Sequence, residues 1–161
     1  MKKYQIKSLV LSFVCWLPFV AVAQQDQSSA AEREHLLDGQ IKVVSKTEGI
    51  PANVKQAFSK IARQPSFDMA NPGQKFQATD VVLRKLPWRR LVFAGVQDDR
   101  WFVHYERGGI AHSYHVIALK VDPHGDAHFV WGCSVADSAK SLEQLRTMVS
   151  ACQLADAESY W

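Results

Sequence analysis

Between Arg90 and Cys133 the chain is written as four short apolar runs separated by three turn signals, and this stretch limits the fold more than any other. The runs Arg90–Val96, Trp101–Arg107, Ile110–Val121 and Ala127–Cys133 are separated by Asp98-Asp99, Gly108-Gly109 and Pro123-His124-Gly125. Connections this short join antiparallel neighbours, because a parallel pair needs a crossover of about a dozen residues or more. The stretch therefore predicts a four-stranded meander, with the glycine pair as its clearest two-residue turn.

Helical patterns flank it. Pro51 is placed for the first turn of a helix, and Val54, Ala57, Phe58, Ile61 and Ala62 then fall on one stripe that stops before Pro65. Ser141-Leu-Glu-Gln144 has the form of a capping box, and Leu142, Leu145, Val149 and Cys152 follow at helical spacing. A short edge strand is expected at 40–45 and a further strand at 76–83. The basic, aromatic stretch Arg84–Arg90 reads as a solvated connection. The predicted fold is α+β: a two-layer sandwich in which an antiparallel meander of four strands, or slightly more, carries an N-terminal and a C-terminal helix on one face.

Residues 1–23 have the form of a cleavable signal peptide. Lys2, Lys3 and Lys7 give a basic start, Leu9–Val20 is largely apolar, and Ala21-Val22-Ala23 supplies small residues for cleavage. The polar residues 24–39 read as a flexible leader, and 40–161 as a single domain. The chain has 19 basic and 16 acidic residues, and three of the lysines belong to the signal. A mature chain would be neutral, which gives no electrostatic case for binding nucleic acid and none for a stable membrane anchor after cleavage. Export to an oxidising compartment, periplasmic or secreted, makes the two remaining cysteines, Cys133 and Cys152, a disulfide pair.

The stretch His104–His115 holds three of the six histidines of the chain, together with Glu106. With Gly108-Gly109 as a two-residue loop, Arg107 pairs with Ile110 and His104 with Ser113. His112 and His115 then point to opposite faces, so they do not chelate one ion as an HxxH pair. His104 and His115 share a face in this register, and a three-residue loop at 123–125 sets Cys133 opposite His115. That trio has the composition of a zinc shell. The same face carries Leu91, Phe93, Phe102, Ile117, Leu119, Phe129 and Trp131, however, which makes it a core. The expectation is core histidines, a disulfide, and no metal or cofactor. The alternative is a small envelope metalloprotein or hydrolase centred on His104 and His115.

The other face of the same register gathers Trp101, Tyr105, Arg107, His112 and Tyr114, residue types enriched at binding hot spots. It is either covered by flanking segments or by a second copy in a homodimer, or it is open to a protein or small-molecule partner. The chain contains no GxSxG elbow, HExxH helix or phosphate-binding loop. Asp122–His128 lacks the ligand spacing of a calcium loop and reads as a polar hairpin tip. The expected function is an exported, disulfide-stabilised, non-enzymatic protein that binds through the aromatic sheet face in an inhibitor, immunity or envelope-accessory role.

Overall fold

The computed structural model describes residues 31–34, 39–79 and 85–153. Residues 1–30, 35–38, 80–84 and 154–161 lie outside these, and with them the expected signal peptide and most of the expected leader. Five antiparallel strands form one sheet in chain order: β1 (Lys42–Val44), β2 (Arg89–Gln97), β3 (Arg100–Arg107), β4 (Ser113–Val121) and β5 (Ala127–Val135). Helix α1 (Ala52–Ile61) precedes β2, and helix α2 (Leu142–Ala151) follows β5. The fold is the expected α+β meander with a helix near each end, and β1 is the expected edge strand.

Of the strand expected at 76–83, residues 76–79 are not in a strand and 80–83 lie outside the described residues. Ala70 instead makes an isolated bridge to Arg90, exchanging backbone bonds of 2.9 Å with Arg89 and Leu91. Residues 31–34, placed in the leader by sequence, are helical, and Glu32 accepts a charge-assisted bond from Arg100.

The two helices divide the sheet between them, where both were expected on one face. Val54, Ala57 and Phe58 of α1 pack with Leu91, Ala94, Val103, Tyr105, Ile117 and Leu119. Leu145 and Val149 of α2 pack with Phe93, Phe102, Val116, Ala118, Trp131 and Cys133. Away from two bulges the strands alternate between these sets, so each set is one face of the sheet.

Three irregularities produce this arrangement. The turn between β3 and β4 spans residues 108–112, because Arg107 pairs with Ser113 and not with Ile110. The register thus moves by three residues, an odd number, which exchanges the faces of β4 relative to β3. Bulges then add Val92 to β2 and Val130 to β5. The first separates Leu91 from Phe93, and the second separates Phe129 from Trp131. Gly108 shows why the glycine pair does not form the tip of a hairpin. A Cβ there would fall 1.7 Å from the Gln77 carbonyl oxygen, so this glycine serves a close backbone approach.

Local chemistry holds the helices in place. The Ser141 hydroxyl accepts from the Gln144 amide at 3.1 Å, and the Gln144 side chain accepts from the Lys140 amide at 2.8 Å. This is the predicted cap with its return bond made one residue earlier. Cys133 and Cys152 form the expected disulfide, with Cα atoms 6.1 Å apart. Closing a loop of this size stabilises the fold by about 3 kcal/mol in the chain-entropy model. On the other side, the Asn53 side chain donates to the Gly125 carbonyl at 2.8 Å and ties α1 to the β4–β5 hairpin.

Candidate functional site

A helix of ten residues is about 15 Å long, whereas a strand of nine spans about 30 Å. Helix α1 therefore covers only part of its face. Its apolar stripe lies over Val103, Tyr105, Ile117 and Leu119, and the helix gives way at Arg63, which has a φ of +49°. Beyond it the sheet face turns polar. Arg89 is paired with Arg107 across β2 and β3, and Arg107 with Ser113 across β3 and β4. His115 and Ser134 extend the same face onto the next pair.

The result is an open cleft of about 640 Å³, floored by Arg89, Arg107, Ser113 and His115. Ala62 and Gln64 form the wall at the end of α1, and Trp88, Gly109 and Ile110 form the opposite rim. Ile110 is 96% exposed, and Gly109 sits against the Trp88 ring with a φ of +109°.

The polar groups of the floor are unevenly satisfied. Arg89 is 3% exposed, and its Nε is buried without a hydrogen-bond partner. Among the described residues no ion pair reaches it, and burial lowers its pKa, the nearby Arg107 adding to that effect. The Tyr105 hydroxyl beside it is fully buried, and burial pushes it up to about 12 against the opposing pull of the Arg89 guanidinium.

His115 lies within hydrogen-bond distance of two serines: Nε2 is 2.7 Å from the Ser113 hydroxyl and Nδ1 is 3.1 Å from the Ser134 hydroxyl. Its ring stacks on Tyr105 at 5.3 Å. Burial, with Arg107, Arg89 and His104 acting in the same sense, pushes its pKa down to about 4. At neutral pH the imidazole is therefore uncharged, with one nitrogen donating and the other accepting.

This geometry separates residues that the sequence brought together. His104 lies on the α2 face and His115 on the α1 face, so the expected shared face does not exist and the two rings do not converge on one ion. The His104 Nε2 accepts from the Ala139 amide at 3.1 Å, which makes Nδ1 the protonated nitrogen that donates to the His115 carbonyl at 2.9 Å. Both ring nitrogens are thus committed to the backbone. The side chain anchors the loop that leads into α2, and burial keeps it neutral.

The aromatic face is divided in the same way. Trp101 is half-buried at the far end of the α1 face, and Tyr105 lies under Phe58 with ring centroids 5.2 Å apart. Arg107 is in the cleft. Tyr114 pairs with Glu106 on the α2 face, and His112 lies in the turn, 2.9 Å from the Glu106 carboxylate. Arg90 also donates to Glu106 and lies 4.4 Å over the Phe76 ring.

Chemically, the Ser113–His115 contact has the distance of a nucleophile–base pair. Ser134 stands where a carboxylate would orient the ring, and an imidazole with a pKa near 4 is a weak base at neutral pH. The floor is better suited to holding a charge than to making a nucleophile. Comparison with family models, curated proteins and solved structures found no match. The fold and the site alone define an α+β domain with a two-arginine cleft at one end of its sheet.

Proposed function

We propose that this is an exported, disulfide-stabilised, non-enzymatic binding protein whose ligand or partner seats in the Arg89–Arg107 cleft, in an inhibitor, immunity or envelope-accessory role. The observation that carries this reading is Arg89, a buried guanidinium with an unpartnered Nε on the floor of an open cleft. Buried polar groups are almost always paired, and one left unpaired in a concave site calls for a partner from outside the fold. The binding surface is therefore moved from the aromatic sheet face, where Tyr105 is covered by α1, to the uncovered end of that same face.

Export is supported by the form of residues 1–23 and by the disulfide, a bond that persists in oxidising compartments. Among the described residues no helix is long and apolar enough to cross a membrane. The test is native mass spectrometry of the protein taken from its own envelope fraction without reductant. The expected mass starts at Gln24, lacks two hydrogens, and carries a bound ligand or partner that Arg107→Glu removes. An unprocessed chain overturns export, and a bound mass increment that is the same in wild type and variant overturns the cleft.

A further inference from the structure

We propose that the cleft is a receptor for a small molecule bearing a carboxylate or phosphate group, bound between Arg89 and Arg107, with its apolar part along Trp88 and Ile110. This rests on the binding reading above and names the ligand chemistry.

Three observations lead to an oxyanion. Arg89 and Arg107 are Cα partners on neighbouring strands and share a face. Like charges placed directly opposite each other in a sheet repel, and an anion between them reverses the sign of that interaction. Secondly, no carboxylate is among the described residues that line the cleft, while two guanidinium groups are. Thirdly, the unpartnered atom on the floor is a donor, the Arg89 Nε–H, with the Tyr105 hydroxyl against the same guanidinium. A guanidinium presents a planar fork of donors that matches a carboxylate or phosphate edge. The Ser113 hydroxyl lies on the same floor.

The rim explains why the ligand is more than a bare ion. Trp88 and Ile110 are among the few large apolar side chains exposed on the described surface. They stand together at one edge of a cleft whose volume suits a small organic molecule. Two guanidinium groups below an apolar rim select a compound with a charged head and an apolar body.

The experiment is an NMR titration of the disulfide-bonded protein with phenyl phosphate, benzoate and the neutral benzyl alcohol. It follows backbone amides and arginine side-chain Nε–H signals at constant ionic strength. The expected result is saturable shifts at Arg89 and residues 107–113 with one or both anions, and binding at least about tenfold weaker for benzyl alcohol. The ratio of the two anions tells phosphate from carboxylate. Arg107→Gln should weaken anion binding about tenfold and leave benzyl alcohol unchanged. Its spectrum away from the cleft reports whether the fold is intact.

Equal binding of all three probes in the cleft overturns the oxyanion assignment and leaves the binding reading standing. Anion shifts that never saturate, or that chloride reproduces, also overturn it. A cleft that responds to none of the three probes overturns both.

Discussion

Arg89 and Arg90 are adjacent residues at the start of the same strand, yet their surroundings are opposites. Arg90 points to the α2 face, donates to the buried Glu106, and covers the Phe76 ring. His112 closes on the other oxygen of that carboxylate, so the cluster is satisfied within the molecule. Arg89 points to the α1 face and is more deeply buried, with Arg107 and Tyr105 as neighbours and no ion pair from the described residues. Sharing a strand end, the two sides contrast a charge paired within the fold with one that has no ion pair among the described residues. The first is neutralised by the fold, and the second is the one on which the proposed ligand would act.

Removing a charge on each side should break the symmetry with opposite signs. The largest effect is expected for Glu106→Gln, which strands Arg90 and His112 and should cost about 3 kcal/mol in urea unfolding. Adding Arg90→Met to it should recover part of that loss, as a double-mutant cycle would show.

Acid should weaken the Arg89 side through His115. The folded ring titrates near 4 and an unfolded histidine near 6.5, so stability is fully present above about pH 6.5. Below that, the unfolded chain takes up a proton that the native state refuses. The loss builds as the pH falls towards 4 and reaches on the order of 3 kcal/mol. His104 is shifted in the same direction. Urea midpoints measured from pH 7 to 4.5 should fall less steeply for His115→Gln than for wild type, and parallel curves would exclude this assignment.

The smallest effect carries the opposite sign. Arg89→Met removes a desolvated, unpaired charge, and unliganded protein should become more stable by about 1 kcal/mol. A loss of stability instead would mean that the fold depends on this guanidinium.

The strands, the edge strand, both helices, the cap at Ser141 and the disulfide were legible because each rests on a local pattern. Faces were not legible, since they depend on counting residues through turns and bulges. Gly108-Gly109 reads as a tight turn, but Gly108 is used for its contact with the Gln77 backbone and the turn runs on to His112. Val92 and Val130 look like any other strand valine, and nothing in their identity marks a bulge.

The candidate site was lost through the same miscount, which set His115 beside His104 and away from Arg107. One sign of it was present in the sequence. Two consecutive arginines entering a strand must face opposite ways, so one of them had to meet the core side. Reading Arg84–Arg90 as a solvated connection passed over that constraint.

The early end of α1 has an evolutionary consequence. Core contacts of the helix are made by Val54, Ala57 and Phe58, while Arg63, Pro65 and Ser66 just past its end are exposed. Surface loops accept insertions at little entropic cost, about 0.6 kcal/mol for a doubling of length. Lengthening or trimming this one loop would deepen, narrow or roof the cleft while the sheet and both cores stayed as they are. Descendants of this scaffold can therefore reshape the cleft without having to relearn how to fold.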